Sequence, residues 1–332
     1  MFCRGAETVM RAAGAGQSLA YVRGSAPCHA LVRSCASHPA PEEWKRAMSD
    51  QRLALFHPGD MEASGWRSET APVLPSRSSS VGRPEAKNLT DDEQMVLEDS
   101  YRAHQLQSML LPKRGLCLAA WETYYDYAPA GAVGGDYCDL VAKEDELFFF
   151  FGDAVGKGIA GSMIASQLHA LFRALLPLKL PLNQLFERIN SIFCESRAED
   201  YYATLVCGRA SSAGALELVN AGHLPPLVLR SGRAMPLVAT GLPLGLFYTS
   251  RYDMTEIQLV RGETLLFYTD GVTEARNPFD IEYGRERLAN LAGERSHLRP
   301  DELVRACVDD VTVFTSGAPP FDDRTVMALR YG

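Results

Sequence analysis

Leu147-Phe148-Phe149-Phe150-Phe151-Gly152-Asp153-Ala154-Val155-Gly156-Lys157-Gly158 opens as a strand and closes as a loop. Its leading apolar run is of strand length and falls far short of the roughly 20 residues that a membrane-spanning helix needs. A run that is apolar at every position has both faces of its pleat covered. Glycine then breaks it, and Asp153 stands at its end. Comparable runs at 203–208, 216–220, 227–230, 264–269 and 325–329 also read as strands. Helical patterns at 159–176, 182–197, 285–291 and 300–314 supply the covers; in one of them Leu182, Leu185, Phe186, Ile189, Ile192 and Phe193 share a helical face. The alternation predicts a layered α/β (α+β) domain over 113–332.

Composition supports a sizeable core: of 332 residues, 46% are hydrophobic and 22% charged. The net charge is −8, yet in residues 1–40 Arg4, Arg11, Arg23 and Arg33 face Glu7 alone, so the acidity belongs to the remainder. An acidic body argues against a nucleic-acid surface, which needs clustered Lys and Arg, and suits bound cations. Eight cysteines without a Cys-x-x-Cys pair exclude zinc-ribbon and thioredoxin readings and point to a reducing cytoplasm. No transmembrane run is expected. From 39 to 87 the chain is rich in Ser, Pro, Gly and Arg, so residues 1–87 read as a low-complexity, disordered leader.

Thr90-Asp91-Asp92-Glu93 is a capping-box signature, with acidic residues in the positive first turn. It predicts a linker or switch helix over 88–112, ended by Pro112 and Lys113-Arg114. Val96, Ala103 and Leu110 recur every seven residues, with Met95, Leu106 and Met109 nearby. This apolar stripe is expected to pack on its own domain, or else to pair with a second copy as a short coiled coil.

Four acidic sites fall at strand ends. Gly134-Gly135-Asp136-Tyr137-Cys138-Asp139 precedes the strand leading to Phe151; Asp153 follows it; Asp270-Gly271 closes the next strong strand; Asp322-Asp323 opens the last. A lone Asp-Gly is usually a turn. Carboxylates converging from distant strands repel one another unless protons or cations neutralise them. All-oxygen ligands select Mg²⁺ or Mn²⁺ over zinc. Two such ions about 4 Å apart acidify a water and hold a phosphoryl oxygen. Phosphate-ester hydrolysis, which requires accelerations of up to about 10²¹, is the chemistry this pattern suits.

Five motifs then carry a resemblance: Gly134-Gly-Asp-x-x-Asp139, Gly152-Asp-x-x-Gly-Lys-Gly158, Ala221-Gly-His-x-Pro-Pro226, Tyr268-Thr-Asp-Gly-x-x-Glu274 and Asp322-Asp-x-Thr325. Their order and spacing are similar to those of the SpoIIE/RsbU-type phosphatases of the metal-dependent (PPM, type 2C) superfamily. The resemblance implies a central β-sandwich flanked by helices, an α-β-β-α arrangement. It implies a serine/threonine phosphatase in which Asp136 bridges two Mn²⁺ or Mg²⁺ ions. Asp153 and the Ala154 carbonyl would bind one or both, and Asp270 and Asp322 would hold one. Asp323 would replace Asp322 or orient a water, while Asp139 and Glu274 would support ligands or position helices. The pattern departs at Tyr137-Cys138, where an aromatic pair is usual. The implied substrate is a phosphorylated anti-anti-sigma-type (STAS) protein.

Rival readings fare worse. Gly156-Lys-Gly-Ile-Ala-Gly161 fits the dinucleotide pattern G-x-G-x-x-G, but 178–183 offer no acid for a ribose and Asp153 is left without a role. A P-loop fails because Gly158 stands where Ser or Thr should hold magnesium; Lys157 is expected to position its loop. No cysteine has the arginine of a covalent phosphatase six residues on. His223 is expected to brace a turn rather than catalyse. A catalytically inactive phosphatase-like binding module would keep the fold without needing the acids, and all of them are present.

Overall fold

The computed structural model describes residues 90–118, 120–196 and 201–332; the leader expected over 1–87 lies outside them. Among the described residues eleven strands form two antiparallel sheets. The first sheet has the order β1 (Cys117–Leu118), β2 (Trp121–Ala128), β11 (Arg324–Tyr331), β10 (Thr264–Tyr268), β7 (Leu227–Arg230), β8 (Arg233–Pro236). The second has the order β3 (Asp136–Lys143), β4 (Glu146–Ala154), β5 (Ala203–Ser211), β6 (Ala215–Ala221), β9 (Thr255–Gln258). Helix α1 (Asp91–Leu110) precedes them; α2 (Ile159–Leu175) and α3 (Leu182–Ser196) follow β4; the short turn α4 (Asp270–Thr273), α5 (Arg285–Glu294) and α6 (Pro300–Thr315) lie between β10 and β11.

Three apolar layers alternate with this framework. Between the sheets pack Trp121, Phe149, Phe151, Val206, Phe267 and Met327; the rings of Phe149 and Phe151 lie 5.3 and 5.5 Å from that of Phe267. The outer face of the second sheet receives Ile164, Leu168 and Phe172 of α2 and Phe186, Ile189 and Phe193 of α3. The outer face of the first receives Leu288 and Ala292 of α5 and Leu303, Val304 and Cys307 of α6. Both sheets are therefore covered on both faces, and the architecture is the expected α-β-β-α sandwich. By length and composition α2 and the turn after it could cross a membrane; here it buries Gly161, Ile164, Ala165, Leu168 and Phe172.

Local differences from the sequence reading have local causes. The segment from Asp136 is a strand in its own right, although it carries two aspartates. Asp139 is fully buried because Arg173 on α2 grips both its oxygens at 2.7 Å and the Leu140 N–H donates a third bond. It thereby ties β3 to α2. The strand at Trp121–Ala128 was not foreseen: Trp121, Thr123 and Tyr125 point inward between Glu122, Tyr124 and Asp126, an alternation of mixed polarity. Helix α1 departs from the predicted stripe. Ala103, His104, Gln107 and Leu110 face the domain, whereas Met95, Val96, Leu106 and Met109 are exposed.

Candidate metal centre

Antiparallel pairing of β3 with β4 sets Asp136 directly opposite Asp153, so their side chains share one face of one rung. The two preceding glycines permit this closeness. A Cβ on Gly135 would stand 2.5 Å from the Ala154 carbonyl oxygen, and one on Gly134 would strike the Asp323 carboxylate. The Asp136 carboxylate is held from the other sheet. Thr269, at the end of β10, and Thr325, in β11, each donate a hydroxyl to its Oδ2, at 2.9 and 2.5 Å. Oδ1 is left for another partner. These two threonines lie inside the quoted motifs, but the sequence alone gives no sign that their hydroxyls meet Asp136 across the two sheets.

Pairing of β10 with β11 brings Asp270 and the Asp322-Asp323 pair to the same end of the sandwich. The turn at Asp270 nests against the chain at Asp323: a Cβ on Gly271 would lie 1.9 Å from the Asp323 carbonyl oxygen. The adjacent aspartates have different surroundings. Asp323 is buried, its Oδ1 accepting from the Ala130 N–H at 2.7 Å and its Oδ2 from the Gly135 N–H at 2.6 Å. Asp322 is half-buried and meets the Lys157 ammonium at 2.9 Å. Lys157 also donates to the Phe321 carbonyl at 2.6 Å and lies 3.7 Å over its ring, so it positions the loop before β11.

Negative charge accumulates here, with Lys157 on Asp322 as its cationic partner. Burial, followed by Asp270, Asp322 and Asp323, pushes the Asp153 carboxyl up to about 8. Burial and then Asp153 raise Asp136 well above the carboxylate range, and burial and then Asp322 raise Asp270. Among the described residues no three His, Cys, Asp or Glu side chains are drawn together around one point. The threonines on Asp136 and Lys157 on Asp322 hold these groups instead, and a cation would compete with them for oxygens. The donor set fits hard divalent ions: carboxylates with the Ala154 carbonyl beside them, and neither sulfur nor a free imidazole.

His223 is not free. Its ring is buried, with Nε2 3.2 Å from the Tyr268 carbonyl and Nδ1 2.9 Å from the Thr204 hydroxyl. The carbonyl can only accept, so Nε2 carries the proton. Burial pushes its pKa down to about 4. Where a brace for a turn was expected, the ring links Thr204 of β5 to Tyr268 of β10. The Glu274 carboxyl, on the exposed side of the α4 turn, is raised by burial and then by Asp270.

A further residue was invisible in the sequence. Gln107 of α1 donates to the Gly134 carbonyl at 2.6 Å and accepts from the Gly134 N–H at 3.1 Å and the Tyr127 hydroxyl at 3.0 Å. A glutamine on a helix gives no local sign of a partner 27 positions away.

Two antiparallel sheets between helical layers, with aspartates from both sheets gathered at one end, define the class of the PP2C-type protein phosphatases. Within it, the chain belongs to the SpoIIE family: residues 143–332, more than half of its length, match Stage II sporulation protein E (SpoIIE). Asp136 lies just before that match. Protein IcfG of Synechocystis sp. (strain ATCC 27184 / PCC 6803 / Kazusa) is 27% identical over 259 residues, covering 69% of this chain and 40% of that protein. Phosphoserine phosphatase RsbP of Bacillus subtilis (strain 168) is 31% identical over 160 residues, 46% of this chain and 39% of that protein. The match thus spans about two-fifths of each relative. The solved SiaA-PP2C domain of Pseudomonas aeruginosa shares the fold at a TM-score of 0.65 and 17% identity, over 74% of this chain and 100% of that one.

Proposed function

We propose that residues 113–332 form a metal-dependent serine/threonine phosphatase domain, with 88–112 as its linker helix. The reading is carried by the convergence of Asp136 and Asp153, on one rung, with Asp270 and Asp322 from the other sheet. Asp136, Asp153, the Ala154 carbonyl, Asp270 and Asp322 would hold two Mn²⁺ or Mg²⁺ ions. Bound there, the ions would lower the pKa of a water and neutralise charge developing on a phosphoryl group. The remaining work falls to the protein. Thr269 and Thr325 hold Asp136 with one oxygen free. Asp323, with both oxygens on backbone N–H groups, ties the loop before β3 to the start of β11 and is a positioning residue, not a ligand. Neutral His223 keeps the two sheet ends in register.

The substrate is phosphoserine or phosphothreonine on a partner protein. The likeness to RsbP, named a phosphoserine phosphatase, supports that class, and an anti-anti-sigma (STAS-type) regulator in the cytoplasm is the partner we propose. The exposed apolar residues of α1 suit a homodimer through that helix. Manganese-dependent hydrolysis of p-nitrophenyl phosphate tests the activity: wild type should turn over, and Asp270→Asn should lose at least about 100-fold. Equal rates, or no hydrolysis by wild type, would support an inactive binding module instead.

A further inference from the structure

Beside Asp322 the surface opens into a cleft of about 350 Å³, continuous with the carboxylate cluster through Asp322 and Gly271. One wall is the α4 turn with Glu274 and Arg276; the other is the end of α6, with Thr312, and the Pro319-Pro320-Phe321 loop. The prolines stiffen that loop, Lys157 pins it, and the ring of Phe321 is 71% exposed at its rim. Arg324, the first residue of β11, completes the lining.

The two arginines differ. Arg276 is spent on Asp280, at 2.9 Å, and on Glu282. Among the described residues Arg324 has a carboxylate within ion-pair range only at Asp126, 3.8 Å away, and its side chain remains 24% exposed. Guanidinium pairs best with a planar, two-oxygen anion. The other charged groups in the lining, Glu274 and Asp322, are acidic and would repel such an anion everywhere except near Arg324.

We infer that this cleft receives the segment of the phosphoprotein substrate flanking its phosphorylated residue, and that Arg324 reads an acidic side chain there. The inference rests on the phosphatase reading above. A chain whose phosphate lies against the aspartates passes Asp322 to enter the cleft. Its carboxylate then meets the part of the Arg324 side chain that is open to the cleft.

The test is a set of phosphoserine peptides in which aspartate replaces asparagine at each flanking position in turn. Manganese-dependent kcat/KM is measured for wild type, Arg324→Gln, Arg324→Lys and Thr312→Glu, with p-nitrophenyl phosphate alongside. Wild type should prefer aspartate at one position by roughly tenfold. Arg324→Gln should abolish that preference and Arg324→Lys should restore part of it. Thr312→Glu, a like charge set on the exposed rim, should weaken it. A wild type without an acidic preference, or a preference that survives Arg324→Gln, would overturn the inference. So would an equal loss on p-nitrophenyl phosphate, which would put the guanidinium on the phosphate itself. Absence of any hydrolysis by wild type would overturn the phosphatase reading, and this one with it.

Discussion

Asp153 shows how crowded acids load single side chains with unfavourable charge. An unfolded aspartate ionises near about 3.9, whereas burial and the neighbouring acids hold Asp153 up to about 8 and raise Asp136 and Asp270 as well. Between those values the native state binds more protons than the unfolded one, so stability must fall as pH rises. Thermal melts of metal-free protein should show Tm declining from about pH 4 to about pH 8 on these grounds, and saturating Mn²⁺ should remove the decline. A flat metal-free profile would contradict the clustering. The adjacent aspartates make a second residue-scale prediction. Asp323→Asn turns an acceptor into a donor facing a backbone N–H and should cost about 1–3 kcal/mol of stability. Asp322→Asn should leave the fold intact and lower turnover at least about tenfold. Melts and steady-state rates on the two variants separate these effects. The sequence exposed all the acids, because each stands beside a glycine or a strand end. It could not sort Asp322 from Asp323, since what separates them is a partner: backbone amides near 130–135 for one, Lys157 for the other.

Among elements, α1 acts on the site through its polar face. The Gln107 amide brackets both backbone groups of Gly134, two residues before Asp136. Gln107→Ala releases the loop that carries Asp136 into its strand and should lower turnover by roughly 10- to 100-fold, measured with p-nitrophenyl phosphate; an unchanged rate would show the helix to be a passenger. The heptad-like spacing of Val96, Ala103 and Leu110 signalled the helix, and Ala103 and Leu110 do face the domain while Val96 is exposed; Gln107 was missed because a buried glutamine is satisfied by distant backbone and leaves no apolar mark. Strand β3 escaped for a related reason. Asp136 and Asp139 break its hydrophobic pattern, and what satisfies them comes from Thr269, Thr325 and Arg173, far along the chain. By contrast β4, β5, β6 and β10 were legible because apolar packing on both faces leaves continuous runs.

At the scale of the molecule, the sandwich is the device that makes a site from separate pieces. Each sheet contributes acids at one end, and the ring cluster of Phe149, Phe151 and Phe267 fixes the sheets face to face. Continuous apolar runs specified a layered domain but not whether its strands were parallel; the sandwich came from the motif resemblance, and the antiparallel ladders bear it out. The account's central claim is that aspartates from both sheets enclose two hard cations. A crystal structure of the Mn²⁺-soaked protein, with anomalous scattering to locate the metal, tests this most directly. It should show two manganese ions about 4 Å apart among Asp136, Asp153, Asp270 and Asp322, with Asp323 still on its backbone amides. Manganese bound elsewhere, or these four carboxylates turned away from a metal-free space, would contradict it.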